Sequence, residues 1–271
     1  LGEQSETTLG KVYKKWTNTL DIVAFGTTVQ VFNKNTNTYH DVKTDFSANI
    51  TDGRRLGLDF YTCNSRFGDK IYKTTLPTLL YDTQTVNFTV GLTITGGTSG
   101  ATATIISDTD GGATGTLELD NITGIFQTGE TITDSSTGSA KANGVLVFTN
   151  TAEIAASPKC NALGTYNKRL LGISTDTSEF EVKASKENDT SDWTASATAG
   201  EAFSFIWTLA GEAKGATNFQ ARRKGDESFS AAFFVAYKDG YAAFDYNILD
   251  VGGSQQQDIP TIFEHLNDGG E

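Results

Sequence analysis

The sequence predicts an all-β protein: a propeller- or sandwich-like flanking domain with a small β-barrel or sandwich inserted into it. Three observations predict it. Short runs of alternating apolar and polar residues are separated by polar or Gly-containing turns at short spacing, which fits a sandwich or propeller rather than βαβ units. Thr, Gly and aromatic residues are plentiful while Pro numbers only 3, a composition typical of β-rich extracellular or virion proteins. A Thr-, Gly-, Ser- and Ala-rich zone at 87–148 lies between two flanks of similar style, as expected for a module inserted at a surface loop. The flanks, 1–86 and 149–271, then form one discontinuous domain.

In the first flank, 21–25 and 28–32 read as strands joined by a tight hairpin at Gly26-Thr27. Residues 33–38 are a polar turn, and 39–42 begin another strand. Residues 56–63 alternate and read as a single strand. A turn at 65–69 leads into a further alternating run at 70–73.

The middle zone contains an internal repeat. Phe88-Thr89-Val90-Gly91-Leu92-Thr93-Ile94-Thr95 aligns with Phe126-Gln127-Thr128-Gly129-Glu130-Thr131-Ile132-Thr133, and at the same shift of 38 residues Gly100 falls on Gly138. Each copy reads as a short strand, a Gly/Ser/Thr turn and a second strand, such as 101–106. Between the copies, 116–122 alternates strictly and offers one apolar and one polar face. Five or six short strands would make a small barrel or sandwich. Two copies are too few for a solenoid.

In the last flank, 161–166, the polar turn 167–169 and 170–173 read as strand, turn, strand, and 180–184 alternates. Residues 232–237 and 241–246 flank Lys238-Asp239-Gly240, a hairpin signal. A short helix over 260–266 begins with Pro260.

Charge excludes some function classes. Lys and Arg total 21 and Asp and Glu 33, a net charge of −12, which argues against nucleic acid or an anionic membrane as the main partner. No run of 18 apolar residues occurs, so no transmembrane helix is predicted. Residues 1–20 carry no secretory pattern. The chain has no Met and starts at Leu1, as expected of a processed N-terminus or a fragment of a longer product.

Candidate chemistry is sparse. His40 and His265 have no acid or nucleophile pattern around them and read as loop and tail residues. Cys63 and Cys160 cannot close a tetrahedral zinc site by themselves. They read as two buried free thiols, with a disulfide across the middle segment as the alternative. Gly96-Gly97-Thr98-Ser99-Gly100 lacks the Lys of a phosphate-binding loop and reads as a hairpin turn. Asp108-Thr109-Asp110-Gly111-Gly112 resembles part of a calcium loop, but no Glu closes it, and an Asp/Gly turn accounts for it. Trp16, Trp193 and Trp207 could line a sugar site, though buried anchors are the simpler reading. Arg222-Arg223-Lys224 reads as a solvated loop or a subunit contact. Asn49, Asn87, Asn121 and Asn188 begin N-x-[ST] patterns that arise easily in a Thr-rich chain.

The stretch from Val90 through Thr93-Ile94-Thr95-Gly96-Gly97-Thr98-Ser99-Gly100 to Ile105, with 125–132, resembles a repeat module of tailed-bacteriophage structural proteins. The resemblance covers about residues 88–145. The flanks, at 55–61, at 166–173 and in the acidic loop before Asp192-Trp193, resemble more weakly the β-propeller-like tail proteins of such phages. A complete propeller has at least four blades of four strands. About 210 residues remain outside the insert, which allows few blades.

The resemblance implies a non-enzymatic virion protein of the tail or head–tail junction, forming homo-oligomers and contacting other virion proteins. It carries over no catalytic residue, and the sparse candidate chemistry and acidic charge add the expectation of no cofactor, no metal, no membrane and no sequence-specific nucleic acid binding. Acidic charge would suit a lumen past which DNA slides. The second class is a capsid decoration or fibre protein that contacts capsid or host glycan. The third is a secreted carbohydrate-active enzyme, which would need a carboxylate pair in an aromatic-lined cleft.

Overall fold

The computed structural model describes residues 14–166, 168–198, 200–204 and 206, and the backbone of 11–13, 205, 213–222, 229–237 and 240–245. The protein is all-β, with no helix among the described residues. The expected helix at 260–266 lies outside them.

The first sheet is an antiparallel meander of β1 (Lys11–Lys15), β2 (Leu20–Phe25), β3 (Thr28–Asn33) and β4 (Thr38–Lys43). Gly26 takes a positive φ of 56° in the β2–β3 turn, a conformation that costs glycine little. Next come β5 (Asp52–Leu56), β6 (Asp59–Cys63) and β7 (Tyr72–Thr74). The single strand expected over 56–63 is therefore two elements. Gly57, at φ 64°, turns the chain between them, and the turn interrupts a run whose apolar alternation continues through it.

Six strands then close a barrel: β8 (Thr78–Val86), β9 (Thr93–Gly96), β10 (Thr102–Asp110), β11 (Gly115–Thr123), β12 (Thr131–Asp134) and β13 (Ser139–Ala142). Their order around the barrel is β10-β11-β8-β13-β12-β9. The barrel includes β8, so it begins ahead of residue 87, where the composition changes. After it, β14 (Thr151–Glu153) lies beside β7 in a sheet ordered β14-β7-β6-β5. The Thr75 N–H donates to the Asn150 carbonyl and the Ile154 N–H to the Ile71 carbonyl, both at 2.9 Å. Partner numbers fall on one strand as they rise on the other, so the chain leaves for the barrel and returns from it along one antiparallel pair.

The remaining strands are β15 (Cys160–Tyr166), β16 (Arg169–Thr175), β17 (Glu181–Ala184) and β18 (Phe203–Ile206), a second four-stranded meander. They are followed by β19 (Ala213–Arg222), β20 (Phe229–Tyr237) and β21 (Gly240–Asp245) in a three-stranded sheet. The hairpin expected at 232–246 appears as β20 and β21, with Tyr237 opposite Gly240.

The chain divides into two compact units. One holds residues 1–50, 57–60 and 73–152, and the other 51–56, 61–72 and 153–271. These units cut across the compositional zones. In the first unit, β2 is buried on both faces from Leu20 to Ala24. In the second, β16 is buried at every position. A lone antiparallel sheet with one wet face would alternate instead. The second unit's core gathers Tyr61, Cys63, Ile71, Ile154, Cys160, Leu163, Leu170 and Trp193. There the buried Asp52 carboxylate accepts from the Leu163 N–H at 3.1 Å, and Arg54 Nε donates to the Leu163 carbonyl at 3.0 Å, tying β5 to β15. Arg169 is buried yet satisfied, its Nη1 donating to the Ser185 and Glu201 carbonyls at 2.9 and 2.7 Å.

The barrel's weakest tolerance is at Gly115, where β11 begins opposite Tyr81. A Cβ there would collide with the Tyr81 phenol and lie 2.7 Å from the Thr109 carbonyl oxygen, which the β10–β11 ladder fixes. Gly115→Ala is expected to destabilise the protein by about 1–3 kcal/mol, the usual cost of overpacking. Thermal and urea unfolding of the variant check this, and an unchanged midpoint would contradict it.

Candidate functional site

The inserted barrel is a duplicated object. Adding 38 to the residue numbers carries β9 onto β12 without a shift, and β8 onto β11 within one residue. The two copies meet at equivalent residues. Leu79 pairs with Leu117 on one side of the barrel, and Thr95 with Thr133 on the other. Antiparallel pairing of a residue with its own repeat equivalent is the mark of a two-fold axis. The strand order obeys it too, because exchanging β8 with β11, β9 with β12 and β10 with β13 reproduces the same ring.

Fine details repeat as well. The Gly91 N–H bonds the Ile105 carbonyl, and the Gly129 N–H bonds the Ala142 carbonyl. Both glycines have positive φ, 88° and 80°. Thr83 and Asn121 are non-glycine residues at φ 47° and 53°, and they occupy equivalent positions at matching register breaks. One feature of the gapless alignment does not survive. Thr95 pairs with Thr102 but Thr133 with Ser139, so the first turn is one residue longer and the offset becomes 37 beyond it. Gly100 and Gly138 are therefore not structural equivalents.

The core compensates in volume across the axis. Tyr81 faces Ala142, while the equivalent pair is Leu119 facing Ile105. A large residue opposite a small one matches two of middling size, which keeps the interior filled. Phe88 meets Tyr81 edge-on at 5.3 Å between ring centroids.

The copies diverge at two carboxylates. Glu130 stands where the first copy has Leu92, and Asp134 where it has Gly96. Both are buried. Glu130 Oε2 accepts from the Thr98 and Ser99 N–H groups at 3.0 and 2.9 Å, and Oε1 accepts from Ser99 Oγ and the Gln127 N–H at 2.8 and 2.6 Å. The second copy thus grips the turn of the first. Asp134 accepts from the Ser136 and Gly138 N–H groups in its own turn and from Thr89 N–H in the other copy, all at 2.8–2.9 Å. Burial alone would raise both pKa values, but these donors outweigh it and hold both carboxyls below the ordinary range. Asp108 behaves oppositely: burial and the neighbouring Asp110 raise its pKa, against the opposing bond from Tyr81 Oη at 2.9 Å.

The second copy's bulge also anchors the barrel to β1–β4. Asp120 Oδ1 accepts from Thr17 Oγ1 at 2.9 Å and Thr19 Oγ1 at 2.5 Å. Asn35 Nδ2 donates to Asn121 Oδ1 at 2.9 Å, and Asn33 Nδ2 to the Ile122 carbonyl at 3.2 Å. Ahead of β14, the His40 ring stacks on Phe148 at 3.7 Å with 2° between planes. Burial lowers the His40 pKa and favours the neutral ring. This histidine, expected in a loop, is therefore a packing residue on β4. His265 lies outside the described residues.

Other singled-out residues fall as follows. Cys63 and Cys160 are buried free thiols side by side, and burial, reinforced by the Cys63 thiol, pushes the Cys160 thiol well up. Gly96 to Gly100 is the β9–β10 turn held by Glu130. Asp108 and Asp110 end β10, with Asp110 Oδ1 capping the Gly112 N–H at 2.7 Å. Among the described residues, no group of three or more His, Cys, Asp or Glu is placed to hold a metal. Trp16 and Trp193 are buried anchors whose indole N–H groups donate to the Leu58 and Thr190 carbonyls, each at 2.8 Å. Asn49, Asn87, Asn121 and Asn188 are exposed. Arg222 ends β19, while Trp207, Arg223 and Lys224 lie outside the described residues. The sequence reading did not single out Glu130, Asp134 or Asp120. Only the departures from the repeat, Glu for Leu and Asp for Gly, could have flagged the first two.

No protein-family model matches the chain, and no curated protein matches its sequence.

Two outcomes follow from the carboxylates. A depressed folded pKa adds stability that is present above the unfolded value, about 4 for these groups, and is lost as pH falls through the folded values. Because the donors are N–H and O–H groups rather than cations, the unfolding midpoint should drop on acidification below about pH 4 at low and high salt alike. Glu130→Ala should cost about 1–3 kcal/mol by stranding turn N–H groups and should flatten part of that acid dependence. Thermal unfolding across a pH series checks both. An acid profile unchanged by the substitution would contradict the assignment.

Proposed function

We propose that the chain is a non-enzymatic structural protein of a tailed-phage virion, a component of the tail or of the head–tail junction. The observation that carries the reading is a closed, duplicated barrel emitted between two neighbouring strands, β7 and β14, of one four-stranded sheet. A blade-like sheet with a small β module in one of its connections is the arrangement that the sequence resemblance implies. The buried faces of β2 and β16 support it, since blades of a propeller are covered on both sides. On this reading the sheets supply subunit contacts, and the barrel is a rigid appendage held against β1–β4 by the Asp120 contacts.

A second reading is a capsid decoration or fibre protein that uses the barrel itself as its contact. The barrel's exposed aliphatic side chains Leu80, Val90 and Ile125 favour it.

Native mass separates the readings. The tail reading predicts discrete ring particles of about five to twelve copies, closed by cyclic symmetry. Mass photometry with particle averaging reads this directly. A monomer at every concentration contradicts the tail reading and favours the second.

A further inference from the structure

The turn between β6 and β7 presents an unusual pair of residues. Phe67 is 77% exposed, matched among the described large apolar residues only by Ile125. The turn around it is tightly fixed. The Asp69 N–H donates to Asn64 Oδ1, and Asn64 Nδ2 to Asp69 Oδ2, both at 2.9 Å. The Phe67 N–H donates to Ser65 Oγ at 3.1 Å, and the Arg66 N–H to Asn161 Oδ1 at 2.8 Å. Gly68 packs so closely that a Cβ would lie 2.6 Å from Asn64 Oδ1. A pinned turn holding an aromatic side chain in water is preorganised for a contact and loses little freedom on making one.

Beside it, the Arg66 guanidinium lies over the Phe67 ring, 4.7 Å from the centroid. Its Nε and Nη1 are hidden from water and have no hydrogen-bond partner. Glu179 Oε2 is 3.6 Å from Nη1, close enough for attraction but too far for a hydrogen bond. Buried donors without an acceptor are uncommon in a finished structure. A carboxylate that reached the guanidinium would supply the acceptor those donors lack.

We propose that the Arg66–Phe67 turn is a subunit-contact knob that docks on a second copy of this chain. Phe67 enters an apolar pocket of that copy, and Arg66 bonds one of its surface carboxylates. Charge complementarity favours this occupant, because 33 acidic residues against 21 basic ones leave a neighbouring copy with an excess of 12 carboxylates. Aromatic and Arg side chains are also the residue types that dominate interface energetics. A knob on one surface and its pocket on another make a heterologous contact, which closes into a ring when the rotation allows.

The proposal rests on the assembly reading above, and its test separates the two. The full-length chain, Phe67→Ser, Arg66→Gln and Arg66→Lys are compared by mass photometry over a concentration series, with thermal unfolding as a control. Wild type is expected to form rings. Phe67→Ser should remain folded, since the side chain is exposed, but should assemble at least tenfold more weakly. Arg66→Gln should weaken assembly similarly, and Arg66→Lys should restore only part of it, because an ammonium lacks the planar fork. Rings formed equally well by wild type and Phe67→Ser overturn the knob and leave the assembly reading standing. A wild type that is monomeric at every concentration overturns both.

Discussion

Everything in the barrel follows from one constraint: each copy of the repeat is only a two-stranded hairpin, β9–β10 or β12–β13, and a separate strand, β8 or β11, and every one of their open edges must be paired. Here each half pairs with the other. Thr95 opposite Thr133 and Leu79 opposite Leu117 set the axis, and the remaining ladders close around it. Closure removes every edge, the feature that otherwise invites pairing with foreign strands. It also explains why so small a module can be Thr-rich and nearly free of basic residues. Its backbone groups are satisfied by the ring of ladders, and its interior needs only one inward side chain in two.

Duplication supplies the frame, and divergence supplies the specialisation. In one copy, Asp120 and Asn121 bind Thr17, Thr19 and Asn35. In the other, the equivalent Asp82 accepts from the hydroxyl of its neighbour Thr83 at 2.9 Å. The two halves therefore no longer have equal roles: the second copy's bulge is the one that holds Thr17, Thr19 and Asn35. Glu130 and Asp134 break the symmetry a second time, since Leu92 and Gly96 at the equivalent positions bring no side-chain acceptor to the turns. A carboxylate that collects three or four N–H and O–H donors is tightly held, and it is inexpensive to bury only while it remains charged. Within the barrel, these are the two carboxyls held below their ordinary range.

Much of this was legible in the amino-acid sequence. The shift of 38 between Phe88 and Phe126 exposed the duplication, and the Gly26 turn and the 161–173 hairpin appear where alternation and turn chemistry put them. Local pattern failed where the information was not local. Residues 56–63 alternate through Gly57, so nothing in the apolar period reveals the turn there. The first strand of the barrel, β8, has the style of the flank that precedes it, and only its pairing with β11 and β13 assigns it to the barrel. The Asp120 contacts join residues more than a hundred positions apart, beyond the reach of any spacing rule. The unpaired donors of Arg66 depend on how a turn folds back on its own side chain.

The central claim is that two equivalent halves complete one barrel and neither is stable without the other. Hydrogen–deuterium exchange of the full-length chain tests it most directly, by comparing residues 93–96 with 131–134 and 78–86 with 115–123. The account predicts that all four segments exchange through one cooperative opening with a common free energy. Rapid exchange of one half while the other remained protected would contradict it.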